Sequence, residues 1–110
     1  MNELTVVNKF HGKWPNRRYV YIGRPSPLGN PVKVEPGVSQ EDAVYLYKEH
    51  LHEQMQAGNE AIISELERIG AMVMDDSGEP VCLMCFCAPK VCHGDVIKKV
   101  IERAIAEQTT

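Results

Sequence analysis

The chain lacks any apolar run of the length, about 18 residues or more, that a membrane span requires. It also lacks a basic-then-apolar leader, since Met1 to Thr5 is a mixed stretch that includes Glu3. Those two absences predict a cytoplasmic protein with no membrane partner. No internal repeat and no linker-like stretch divides it, so the 110 residues are expected to form a single domain, 1–110. Strong charge of either sign is missing as well. A net charge of −3 argues against a broad phosphate-backbone footprint and disfavours nucleic acid as a partner. Basic residues nevertheless gather in one stretch: Lys9, His11, Lys13, Arg17, Arg18 and Arg24. This reads first as a solvated basic loop, with a local anion site as the sharper alternative. The cysteines are not spread as a disulfide scaffold would need. Cys82, Cys85, Cys87 and Cys92 lie together, which points to a metal site, a reactive thiol or buried small side chains.

What is present is an ordinary globular composition, 44% hydrophobic and 25% charged. Leu4 to Val7 and Tyr19 to Ile22 read as strands, the second rich in β-branched and aromatic residues. From Gly23 to Gly37 three glycines and four prolines forbid both a helix and a central strand. Ser39 is a helix N-cap with Asp42 three residues on, and Val44, Tyr47, Leu51 and Met55 follow at helical spacing. Gly58 and Asn59 break that helix. A second carries Ile62, Leu66 and Ile69, with Gly70 as its stop and Met72 to Met74 as a short strand. Val81 to Cys87 is apolar on both faces, as a covered central strand should be. From Asp95 onward the pattern is helical again. Strands separated by helices predict a small Rossmann-like α/β domain, a mostly parallel sheet flanked by helices.

Two constellations leave strand ends, where open α/β sheets bind ligands. The first is Gly23-Arg24-Pro25-Ser26-Pro27-Leu28-Gly29-Asn30-Pro31. Arg24 offers a planar donor fork for an anion. Ser26 and Asn30 add neutral polar groups, and Gly29 permits close backbone approach. No Gly-Lys-Ser/Thr follows and no helix opens at once, so this is neither a phosphate-binding P-loop nor a dinucleotide fingerprint. A rigid structural loop is the equal alternative.

The second is Cys85-Phe86-Cys87-Ala88-Pro89-Lys90-Val91-Cys92-His93-Gly94-Asp95, which runs into a helix start. Three readings stand here. Cys92, His93, Gly94 and Asp95 line a ligand site, with the helix terminus attracting an anion and lowering the thiol pKa. Cys85, Cys87, Cys92 and His93 hold zinc, although alternation places Cys82 on the other strand face. Or the cysteines are small core residues, with His93 and Asp95 capping the helix. Trp14 reads as a loop aromatic anchored to the core, with stacking on a base as the alternative.

Val6-Val7-Asn8-Lys9, the Tyr19–Pro31 stretch, Cys85-Phe86-Cys87-Ala88-Pro89 and Cys92-His93-Gly94-Asp95 together resemble the domain of unknown function 4326 family, small single-domain proteins of bacteria and their phages. The resemblance runs from the first strand to the last helix and implies a family rather than a reaction. Its pattern uses the positions of Cys85, Cys87, Cys92 and His93, and Cys82 lies outside it.

The reading that follows is a protein binding a small anionic ligand, a nucleotide or nucleotide-derived metabolite. Arg24, Ser26, Gly29 and Asn30 would lie on one side and Gly94 at the helix start on the other. As an enzyme it would catalyse transfer or hydrolysis at a glycosidic or phosphoester bond. His93 would serve as acid/base, Cys92 as nucleophile or contact, and Asp95 would orient the imidazole or favour the helix start. No cofactor is predicted in this reading. The alternative is a non-enzymatic, zinc-stabilised interaction or nucleic-acid-binding module.

Overall fold

The computed structural model describes residues 1–9, 13–86 and 92–108. The elements are β1 (Leu4–Asn8), β2 (Arg18–Tyr21), α1 (Gln40–Gln56), α2 (Glu60–Met74), β3 (Val81–Cys85) and α3 (His93–Gln108). The strands form one parallel sheet in the order β1-β3-β2. Leu4 pairs with Val81 on one side of β3 and Arg18 pairs with Val81 on the other. The carboxyl ends of all three strands therefore face the same edge. β3 is central and buried at every position, which is why it tolerates apolar residues without alternation.

Strand alternation separates two faces. Leu4, Val20, Ile22, Val81, Leu83 and Cys85 join the buried faces of the helices, including Leu51, Ile69, Val73, Ile97 and Ile101, in one core. Cys82 and Met84 are buried too, but stand outside that cluster. Cys82 instead meets the Thr5 hydroxyl at 3.6 Å.

Local chemistry sets the helix boundaries. The Ser39 hydroxyl accepts the Asp42 N–H while the Asp42 carboxylate accepts the Ser39 N–H, a complete capping box that starts α1. Gly58, at φ +76°, ends the turn after α1, and the Asn59 side chain caps α2. Two expectations fail beyond that point. α2 does not stop at Gly70 but runs to Met74, so Met72 to Met74 is helix and not strand. Ile69 and Val73, both fully buried, lie one turn apart and carry the apolar stripe across Gly70. That burial outweighs the modest helical penalty of a glycine.

Arg18, placed by its sequence in a solvated basic loop, is partly buried and tied down. Its guanidinium donates to the Asp75 carboxylate and to the carbonyls of Met72 (2.8 Å) and Glu79 (2.9 Å). The hydrogen bond from Arg18, helped by Ser77, holds the Asp75 carboxyl well below the usual carboxylate range. Trp14 does not anchor to the core: its side chain is 67% exposed. Among the described residues no helix is long and apolar enough to cross a membrane.

Candidate functional site

The loop after β2 is fixed by its own backbone. The Ser26 N–H donates to the Gly23 carbonyl at 2.8 Å, and the Gly29 N–H to the Ser26 carbonyl at 2.9 Å. Two successive turns thus fold residues 23–29 back on themselves, with a cis Arg24–Pro25 peptide inside the first. Gly29 is required by that closure, because a Cβ there would lie 2.9 Å from the Arg24 nitrogen. Leu28 is buried and pins the loop to the core. Asn30 brackets the loop against α1: its Nδ2 donates to the Ala43 carbonyl at 3.2 Å and its Oδ1 accepts the Val32 N–H at 2.9 Å. Its side chain is thus used structurally. Arg24 differs, since it is exposed while its carbonyl accepts the Tyr21 hydroxyl at 2.9 Å. The Ser26 hydroxyl is buried and has no hydrogen-bond partner among the described residues.

The α3 start is capped by a thiol. Cys92 Sγ accepts the Gly94 N–H at 3.4 Å, and the Cys92 carbonyl accepts the Asp95 N–H at 3.0 Å. The Asp95 carboxylate accepts the Cys92 N–H at 3.2 Å, as the third helical residue of a capping box does. This moves the helix start to His93, two residues ahead of the expected Asp95. Asp95 therefore serves the helix start, and a backbone carbonyl orients the imidazole instead. Gly94 is a packing glycine, because a Cβ there would lie 2.8 Å from Val6 Cγ1 and 2.9 Å from Ile22 Cδ1.

The two constellations meet at His93. Its Nε2 lies 2.7 Å from the Ile22 carbonyl, the last residue before the Gly23 loop. A carbonyl only accepts, so Nε2 carries the proton and Nδ1 is the lone-pair nitrogen of the neutral ring. Nδ1 lies 3.5 Å from Cys92 Sγ, which lies 3.0 Å from Cys85 Sγ. Burial pushes the His93 pKa down, and Arg24 pushes it the same way, against the Ile22 carbonyl and Asp95.

Tyr47 completes the junction, and the sequence reading gave it only a place in an apolar stripe. Its ring packs edge-on against His93 at 5.0 Å, and its hydroxyl donates to the Leu28 carbonyl at 2.8 Å. Burial pushes its phenol pKa up, with Cys92 adding to the effect, so it remains a donor. The available signal was a tyrosine at a core-facing position, since a buried hydroxyl requires a partner.

Of the proposed zinc set, Cys85, Cys92 and His93 are neighbours, and Cys87 lies outside the described residues. Among the described residues no three or more His, Cys, Asp or Glu side chains converge as a metal-holding group.

A separate groove of about 940 Å³ runs between α1 and α3. Lys48, Lys99, Glu102 and Arg103 line it over Val44 and Val100, with Asp95 at its margin. Charges of both signs over apolar residues give it no evident ligand chemistry. The strand-end junction, by contrast, gathers a cation, a helix start and a buried imidazole.

The sequence profile of the family described as Domain of unknown function (DUF4326) matches residues 7–103. A relative from Enterobacteria phage T4, "Uncharacterized 12.4 kDa protein in nrdA-td intergenic region", is 32% identical over 98 residues. That match spans 89% of this chain and 77% of the relative. No solved structure matches the chain.

Proposed function

This chain belongs to the DUF4326 family, and on that premise we propose that it is a Rossmann-like domain binding a small anionic ligand, a nucleotide or nucleotide-derived metabolite, at the carboxyl edge of its sheet. The observation that carries the reading is the 2.7 Å contact between His93 and the Ile22 carbonyl. It joins the loop after β2 to the α3 start, beside the exposed Arg24 fork. Strand ends in parallel sheets are where such ligands bind, and the positive end of a helix favours an anion.

The parts divide the work unevenly. Arg24 supplies the exposed charge. The α3 start contributes its dipole more than its amides, since the Gly94 and Asp95 N–H groups are already engaged by Cys92. The unpartnered Ser26 hydroxyl is a further group that a ligand would satisfy. Gly29, Asn30 and Tyr47 hold the loop in shape, which lowers the ordering cost of binding. The geometry favours binding over bond making. Cys92 is wholly buried, so nucleophilic attack by its sulfur would require the α3 start to open.

Calorimetric titration with ribonucleoside 5′-monophosphates and with inorganic phosphate tests the reading. Saturable binding by the native chain, weakened at least about tenfold in Arg24→Ala, is expected, equivalent to about 1.4 kcal/mol. A folded protein that binds none of them, or binds equally well without Arg24, would overturn it.

A further inference from the structure

The overall net charge conceals a sharp division. Between Leu4 and Val34 the chain has six cations and no carboxylate, while the remainder carries a net −9. Two of those cations stand with the aromatic residues of the sheet face turned away from the main core. Lys9 Nζ lies 4.7 Å from the Tyr21 ring centre and 5.3 Å from that of Phe86. Lys13 Nζ lies 5.7 Å from the Tyr19 ring centre. Tyr21 and Phe86 meet edge to face at 5.9 Å.

Two aromatics are held outward. Phe86 is 47% exposed and Trp14 67%. The Trp14 backbone is not loose: its N–H donates to the Tyr19 hydroxyl at 2.6 Å, and Asn16 takes the left-handed turn at φ 62° that follows. The segment thus presents the indole to solvent instead of burying it, although burial of so large a ring would be strongly favourable. Arg17, three residues further along the chain, is exposed as well. Exposed rings flanking a sheet face, interleaved with cations, are what bases stack on and phosphates pair with.

We propose that this face binds single-stranded nucleic acid, with bases stacking on Trp14 and Phe86 and phosphates neutralised by Lys9, Lys13 and Arg17. Tyr19 and Tyr21 form the platform beneath. Double-stranded nucleic acid offers the same charge but keeps its bases stacked on one another, so the rings would gain little from it. The proposal stands on residues other than the Arg24 loop and survives or fails independently of the mononucleotide reading.

The test is fluorescence anisotropy of the full chain with labelled oligothymidylate and oligouridylate, at low salt and at increasing salt. Trp14, the single tryptophan, provides a second signal. Expected are saturable binding to one or both strands, quenching of Trp14 by the oligonucleotide, and weaker binding by about fivefold or more in Trp14→Ala or Phe86→Ala. The two oligonucleotides decide between DNA and RNA. Lys9→Gln/Lys13→Gln should lower the salt slope by about 1.4, for two phosphate contacts on a single strand. Thermal melts verify that each variant is folded, and both aromatic positions are exposed enough to tolerate alanine. Absence of binding at low salt would overturn the proposal. So would binding that heparin or duplex DNA matches and that neither aromatic substitution weakens, since that is attraction to charge alone.

Discussion

The two faces of β3 use the same residue type differently. On one, Cys85 enters the helical core and contacts Cys92, which caps α3 and adjoins His93. On the other, Cys82 meets the Thr5 hydroxyl, and the neighbouring strand turns Tyr19 and Tyr21 toward lysines. Strand alternation alone makes the difference. The first face is knitted into an apolar core that fixes the strand-end junction. The second carries cations and half-exposed rings. Stability should therefore reside mainly on the helical face, and ligand chemistry at the edge and on the opposite face.

The largest expected effect tests that asymmetry. Leu83→Ala, on the helical face and fully buried, should cost about 2–5 kcal/mol in urea unfolding, while Tyr19→Ala should cost clearly less. Equal losses would break the comparison. Next is Gly94→Ala, whose new methyl meets Val6 and Ile22 and should cost about 1–3 kcal/mol through overpacking. Tyr47→Phe keeps the ring but strands the buried Leu28 carbonyl, for about 1 kcal/mol. A Tyr47→Phe protein with unchanged stability would show that the carbonyl finds another donor.

The smallest effect is a pH dependence. Burial lowers the His93 pKa in the fold, so below the ordinary value of about 6.5 the unfolded chain binds more protons than the native one. Stability should fall as pH drops from about 6.5 toward the lower folded value, and the contribution should be fully present above about 6.5. The slope from one group stays below about 1.4 kcal/mol per pH unit. Urea midpoints between pH 7 and 5 should show the decline, and His93→Gln should remove its own share.

Much of the fold was legible because short-range chemistry specified it. Ser39 with Asp42, Gly58 with Asn59, and the apolar run from Val81 each mark a boundary by local hydrogen bonding, turn geometry or burial. The end of α2 was not legible, because Gly70 carries a stop signal locally while Ile69 and Val73 are buried by distant partners. The α3 start shifted for a similar reason: a thiol cap depends on where Sγ points. At the junction, the sequence brought forward Arg24, Cys92 and His93 by residue type. It could not reveal that Asn30 is engaged by Ala43, that Gly94 packs on Val6, or that the Ile22 backbone holds the imidazole. Backbone carbonyls leave no mark on residue identity.

Amide chemical-shift mapping of the ¹⁵N-labelled chain, titrated with a ribonucleoside 5′-monophosphate, tests most directly whether the carboxyl edge is the ligand site. The account predicts saturable shifts concentrated in residues 23–30 and 92–96, lost in Arg24→Ala. Shifts centred on Lys48, Lys99 and Arg103 in the groove between α1 and α3, or no shifts at any position, would contradict it.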